Sequence, residues 1–383
     1  MKEFKSKFSK IPNRFWMILI GIIICTILIV NANVNIDGAD LTVFSVQRAR
    51  VIAVNNDRLT NDPVVESIQI GRQTVEMELL SGQHRGQVVR IDSTLNRFFN
   101  VEAQENMTIL ASVITDDQGN IQHVDVFGYA REAFMYGFIG LFFLILILVG
   151  RKKGFYSVIS LVFTLCVVVF FMIPAILAGK SPILYAIITA IVTTVFSILM
   201  ISDFTRKSVA AISGTIVGVF IAGLVSQIAG NIAHISGMQV EHAEEVLFQT
   251  QGVAVQVPQL LVAGIIIASL GAVMDVGMSI ASVIYEMKEV NPKMGFKELY
   301  QSGMNVGRDV MGTMSNTLIL AFAGSSITTL IIIVSYQLPY LRLINLDLLA
   351  LEVIQGLSAS IGLVLAVPAT ALIGGWLAAR RKY

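Results

Sequence analysis

Charge is what this chain has least of. Asp, Glu, Lys and Arg make up 14% of its 383 residues, where soluble domains carry about 25%. With 55% hydrophobic residues and a mean hydropathy of +0.74, an ordinary water-soluble protein is excluded. A net charge of +1 offers no basic surface, so no nucleic-acid partner is expected. Cysteine is nearly absent. Cys25 and Cys166 both lie inside apolar runs, which excludes a disulfide framework in a water-exposed domain. Cys25 also lacks the flanking small residues of a lipoprotein cleavage site. There is no HExxH and no second acid beside an embedded one, so neither an enzyme nor a cofactor is expected. Lysine is missing from residues 31–131, which hold eight arginines.

What the chain does have is apolar length. Residues 1–14 are a basic N-terminus carrying Lys2, Lys5, Lys7, Lys10 and Arg14. Residues 15–32 follow as a transmembrane signal anchor, because no small-x-small cleavage site precedes Asn31. Seven more apolar runs lie at about 134–150, 155–178, 183–201, 209–230, 259–285, 309–335 and 350–378. Each suits a hydrocarbon core of about 30 Å. With the N-terminus inside, the inner loops collect seventeen lysines and arginines, and the short outer loops hold only Lys180 and Arg342. The expected fold is therefore an α-helical polytopic membrane protein of about eight transmembrane helices, N-in and C-in. Residues 131–180 hold helices 2 and 3, and residues 181–383 hold helices 4–8 as a core bundle. That bundle includes an outer loop at 231–258 and a cytoplasmic amphipathic segment at 287–307. Runs 2 and 3 read as nearly featureless and lipid-facing.

Residues 33–130 differ in kind. Val43–Val54, Thr74–Leu80, Gln87–Ile91, Met107–Thr115 and Ile121–Tyr129 alternate apolar and polar residues with period two, with turn residues such as Ser81-Gly82 between them. This predicts a small all-β extracytoplasmic domain between helices 1 and 2, an OB-like barrel or a sandwich. His84 and His123 are isolated and read as surface residues. The outer loop carries His234, Glu241, His242, Glu244 and Glu245, which read as a solvated amphipathic helix before they read as a metal cluster.

The candidate site lies in Leu270–Ile319. Gly264, Ala268, Gly271, Asp275, Ser279, Ser282 and Glu286 recur at steps of three and four, so they share one helix face. That face is expected to point into the bundle or a watery cavity. A carboxylate inside a membrane costs at least ~2.5–3.5 kcal/mol, which makes Asp275 a functional candidate. At 1.5 Å per residue Asp275 lies about 24 Å below the outer surface, in one layer with Thr313 and Asn316. Ser213, Thr215, Thr193, Thr194 and Ser197 are expected near that layer. Hydroxyls and an amide there can hydrogen-bond either form of a carboxylate that relays protons or cations. The competing reading is a structural bond between Asp275 and Asn316. At the inner interface Arg308 is expected to pair with Glu286 or reach headgroups, and Asp309 to cap a helix. Glu352 and Gln355 are expected as a vestibule or cap at the outer side.

The stretches LGAVMDVGMSIAS, GMNVGRDVMGTMSNTLILAFAG and EVIQGLSASIGLVLAVPATALI resemble the YibE/F-like family of bacterial multi-pass membrane proteins. TVEMELLSGQHRGQVVR and residues 125–131 are similar to the ectodomain of its longer, YibE-type members. The resemblance implies a bacterial plasma-membrane location and a shorter, YibF-type homologous subunit or a homo-oligomer, alongside membrane lipids. The order of ectodomain, Asp-bearing span, charged link and Ser/Thr/Asn-rich span is also similar to the membrane half of SecD/SecF proteins of the RND superfamily. That similarity implies a proton role for Asp275 beside Asn316 and Thr313. This chain differs in its two extra spans and in having Asn where a second acid could stand. Two functions follow as expectations: a transporter or export-assisting protein, substrate unknown, coupled through Asp275; or a non-transporting scaffold or receptor whose β domain binds a peptide or envelope partner.

Overall fold

A computed structural model describes residues 13–34, 44–116, 118–238, 240, 242–249 and 255–380. The basic stretch 1–14 falls, except for its last two residues, outside the described residues. The chain divides into two compact units, Asn35–Ile145 and Met1–Val34 with Leu146–Tyr383.

The first unit is one curled antiparallel sheet. Its strands are β1 (Phe44–Asn61), β2 (Gln69–Leu79), β3 (Val88–Leu95), β4 (Thr108–Thr115) and β5 (Ile121–Tyr129), in the order β3-β2-β1-β4-β5. Alternation makes the sheet: Gln73, Val75, Met77 and Leu79 of β2 are buried and the residues between them are more open. A slip of one residue would turn that set outward. β1 runs past the expected Val54 to Asn61 and pairs with both β2 and β4. Register shifts at Val51/Ala53 and Asn55/Arg58 let it bend, as bulges do. The core is Ala49, Val51, Val75, Met77, Leu79, Ile109, Ala111 and Val113. Gln73 is buried among them with its amide satisfied: Nε2 donates to Asn56 Oδ1 and Ala103 O at 2.8 Å, and Oε1 accepts from Ala103 N at 3.0 Å.

The second unit is helical. After α1 (Asn13–Val34), α2 (Glu132–Val167) enters from the first unit in sequence. A π-helical turn, Val168–Met172, and α3 (Ile173–Leu177) extend it, the turn lying just before Pro174, whose missing N–H disrupts the α pattern. Then come α4 (Pro182–Ser202), α5 (Arg206–Ile232), α6 (Ala243–Gln249), α7 (Val257–Val290), α8 (Phe296–Ser325), α9 (Ile327–Ser335), α10 (Tyr340–Ile344) and α11 (Asp347–Ala379). Among the described residues five stretches are long and apolar enough to cross a bilayer, Glu132–Leu177, Pro182–Ser202, Arg206–Ile232, Val257–Val290 and Asp347–Ala379, and the bent pair Phe296–Ser325 with Ile327–Ser335 makes a sixth if it is one span.

The stretch Glu132–Leu177 is 46 residues long. Straight, it would run about 69 Å. It is not straight. Arg151 has φ 50° and ψ −128°, and a Cβ on Gly154 would collide with the carbonyl of Leu146. Eight helical residues would separate those positions by about 12 Å. The helix is therefore broken between the two apolar runs expected there.

The bundle core is α5, α7 and α11, with α4 and α8 against them. α5 and α11 cross at glycines: a Cβ on Gly362 would lie 2.6 Å from Gly218 O. Small residues permit this approach in place of interhelical charge.

Three expectations are corrected. Residues 287–307 are not a separate amphipathic helix; they are the end of α7 and the start of α8, joined by a five-residue turn. Lys288, buried, donates to Pro292 O at 2.7 Å and Met294 O at 2.8 Å, closing the C-terminus of α7. Glu298 accepts from Gly295 N at 2.9 Å, closing the N-terminus of α8. Asp309 therefore lies well inside α8 and caps nothing. The run 309–335 is also not one straight helix, because α8 and α9 meet at a 65° bend.

Candidate functional site

α7 has two contrasting faces. Leu261, Ile265, Ile266, Leu270, Val273, Val276, Ile280 and Ile284 are buried in the core. Gly264, Ala268, Gly271, Asp275, Ser279 and Glu286 lie together on the other side and are exposed. Ser282 is half-buried and donates to Met278 O at 2.8 Å. The small polar stripe is real and exposed, so it does not point into the bundle interior, the first of the two expected directions; its Gly271 borders a cavity that α7 shares with α2 and α4. Large branched side chains fill the interior by packing against the neighbouring helices, since acyl chains are as apolar as they are.

α8 repeats the pattern. Leu299, Gly303, Gly307 and Leu318 are buried, while Asn305, Arg308, Asp309, Gly312, Thr313 and Asn316 are exposed. Arg308 Nη1 donates to Asn305 Oδ1 at 3.4 Å and does not pair with Glu286. Thr313 donates to Val310 O at 3.0 Å. Asp275 and Asn316 do not bond to each other, and neither side chain has a hydrogen-bond partner among the described residues. A structural lock between these two helices through that pair is therefore absent among the described residues.

Glu352 lies in the second turn of α11, half-buried, so it does not cap that helix. It accepts from Ser326 Oγ at the bend between α8 and α9. With Phe322, Leu330, Leu349 and Val353 the pair lines a cleft of about 260 Å³. The carboxylate is thus tied to a broken helix beside a mostly apolar cleft.

The neutral hydroxyls take the interior. Thr193, Thr194, Ser197 and Thr215 are buried and Ser213 is half-buried, whereas Asp275 and Asn316 are exposed. Three partners were missed in the run read as featureless. Ser157, Ser160 and Thr164, at steps of three and four, join Thr189, Thr193 and Ser197 of α4 around one cavity. That spacing was the available signal. Ser160 Oγ donates to Ser197 Oγ at 2.5 Å across the helices.

Elsewhere, His242 Nδ1 lies 3.0 Å from Glu245 Oε2 at α6, and Glu241 lies outside the described residues. No group of three or more His, Cys, Asp or Glu able to hold a metal occurs among the described residues. In the sheet unit Asp62 accepts from Val64 N, Val65 N and both Nε and Nη2 of Arg97 at 2.7–3.1 Å. The Arg97 guanidinium and the two amides hold its carboxyl well below the usual carboxylate range. The loop they secure presents Phe98, 93% exposed, and Phe99, 74% exposed.

No curated protein and no solved structure matches the chain. The profile of the family described as YibE/F-like protein matches residues 138–380, which is well over half of the chain and runs from within α2 through α11. The exposed carboxylate stripe of α7, the polar face of α8 and the hydroxyls of α2 and α4 all fall within that match. The chain belongs to the YibE/F-like family.

Proposed function

We propose that this chain is an integral membrane transporter or export-assisting protein that couples proton or cation movement to its work through Asp275. The observation that carries the reading is the state of that carboxylate. It sits mid-way along an apolar helix, on a stripe of small residues, without a hydrogen-bond partner among the described residues. An unpaired charge in a membrane layer is costly, and function is the usual reason to keep one. The chain acts as a transporter rather than an enzyme.

The topology that goes with this reading is eight spans, N-in and C-in, with the sheet unit outside the plasma membrane. Its support is the distribution of Lys and Arg and the helix break at Arg151, which divides Glu132–Leu177 in two. The outward stripes of α7 and α8 are, in this reading, covered by a shorter homologous membrane subunit. Small residues and a carboxylate suit close helix approach better than contact with acyl chains. Asp275→Asn tests the function. Vesicles bearing the variant should lose ion flux while its membrane content stays normal. Full flux in Asp275→Asn would remove the reading.

One observation favours a second reading, a scaffold or receptor that binds a peptide through the sheet unit. Phe98 and Phe99 are exposed, yet both backbone N–H groups donate to Asn96 Oδ1 at 2.8 Å, so the aromatic pair is held ready for contact. Phe98→Ser with Phe99→Ser would then abolish function, and Asp275→Asn would not.

A further inference from the structure

Two short stretches bring cations together at one end of the helical unit. Past the break at Arg151, α2 runs antiparallel to α4. The rings of Phe163 and Phe196 stack at 3.8 Å, Ser160 Oγ donates to Ser197 Oγ, and Ser157 and Ile201 border one cavity. Lys153 stands one turn before Ser157 and Phe204 one turn after Ile201, so both stretches leave the helix pair at the same end. One carries Arg151, Lys152 and Lys153, all exposed. The other carries Arg206, exposed, and Lys207, half-buried. Against these five cations, residues 148–156 and 201–208 hold one acid, Asp203. None of the five forms an ion pair among the described residues. The turn at the other end of the pair, residues 178–181, carries only Lys180.

Helix stability does not explain this placement. Arg206 and Lys207 open α5, where the helix dipole favours anions and disfavours cations. The turn before them is fixed: Thr205 Oγ1 accepts from Ser208 N at 3.2 Å, and Ser208 Oγ donates to Asp203 O at 2.5 Å. Open apolar side chains flank the cations. Val149 is 82% exposed and Phe204 75%, and Leu148 and Phe155 are exposed beside them. Basic groups next to uncovered apolar side chains, at the end of helices apolar enough to cross a bilayer, match a phosphate that carries acyl chains. A free phosphate would engage the cations and leave the apolar side chains uncovered.

We propose that Arg151, Lys152, Lys153, Arg206 and Lys207 form a binding surface for an anionic phospholipid, its phosphate among the cations and its acyl chains against Val149 and Phe204. Each cation close to an anionic headgroup is worth about fivefold in affinity. The surface is independent of Asp275 and of any ion coupling.

The test uses the full chain with Phe204→Trp as reporter and Trp16→Phe and Trp376→Phe to remove the other indoles. The protein is placed in phosphatidylcholine nanodiscs containing a fraction of brominated phosphatidylglycerol or, in a parallel series, brominated phosphatidylcholine. Bromine on an acyl chain quenches only an indole beside it. Quenching should show a preference for phosphatidylglycerol of at least about fivefold, shrinking in high salt as surface charge is screened. Equal quenching by the two lipids would leave the cations only the task of orienting the helices. It would overturn the proposal whatever the fate of any variant. Arg151→Gln with Lys152→Gln and Lys153→Gln should remove the preference, and Lys180→Gln at the other end should keep it. A full preference in the triple variant, or its loss in Lys180→Gln as well, would overturn the assignment to this surface. Excess glycerol phosphate, a headgroup without chains, and excess of a glutamate-rich peptide should both leave the quenching unchanged. Abolition by either would mark a site for a free anion or an acidic protein and would overturn the lipid.

Discussion

Asp62 and Asp275 show two ways of handling a carboxylate. Asp62, in the loop after β1, has a side chain only 1% exposed and satisfies both oxygens within its own unit. It is enclosed by its local loop rather than by the depth of the domain, and the bidentate arginine supplies the charge it needs. Asp275 lies on an apolar helix and finds no hydrogen-bond partner among the described residues. The sheet unit is thus electrostatically complete in itself. The helical unit completes its interior with shape and hydroxyls, and leaves its carboxylate open for something else to act on.

The same chemical change in both places gives the largest contrast. Asp275→Asn should reduce ion flux to the level of empty vesicles without altering yield or thermal stability. Asp62→Asn should do the reverse, leaving flux largely intact while the loops at 62–68 and 96–100 become several-fold more open to protease. Flux loss in both variants, or in neither, would erase the distinction between the units. Next in size is Gly362→Leu. The added side chain meets Gly218 O and Ala222 where α5 and α11 cross. Overpacking costs about 1–3 kcal/mol, so a lowered melting temperature in detergent is expected. An unchanged melting temperature would mean that this crossing does not hold the interior closed.

Much of this arrangement was legible in the residues. Period-two alternation located all five strands, since the buried set of β2 is the alternating set, but β1 runs on seven residues past the expected Val54 and β2 begins five residues before the expected Thr74. Steps of three and four identified the α7 stripe correctly. Its direction was not legible, because a helical period says which residues share a face and not which face the rest of the chain covers. Asp309 was misread as a cap for a related reason. The apolar run begins near it, but α8 begins thirteen residues earlier at Phe296, where Glu298 closes the helix start. The hydroxyls of α2 were overlooked because three small polar residues barely change the hydropathy of a run that contains LVFTLCVVVFFM.

Acid titration sharpens the account of Asp62. Its folded pKa is depressed, chiefly by Arg97, so its contribution to stability is fully present above the ordinary carboxylate pKa of about 4. That contribution is lost only as pH falls through the lower, folded value. Protease resistance of the 62–68 and 96–100 loops should therefore persist through mildly acid pH and fail only in stronger acid. In Arg97→Ala the pairing that depresses the pKa is gone, and loosening should begin nearer pH 4. Identical acid profiles for wild type and Arg97→Ala would show that the two backbone amides alone set Asp62.

The smallest effect belongs to Glu286, and it decides whether the α7 stripe acts as a whole or through one residue. Glu286 shares the face of Asp275 and is exposed near the end of α7. It forms no pair with Arg308, whose partner is Asn305. Three turns of helix, about 16 Å, separate the two acids. At the end of the helix an exposed carboxylate stays hydrated and costs little, so its charge has no functional justification of the kind that applies to Asp275. Glu286→Gln should leave flux within the scatter of wild type. A loss comparable to that of Asp275→Asn would place the coupling in the stripe's summed charge, and the contrast between one open carboxylate and a closed sheet unit would have to be redrawn around the whole face of α7.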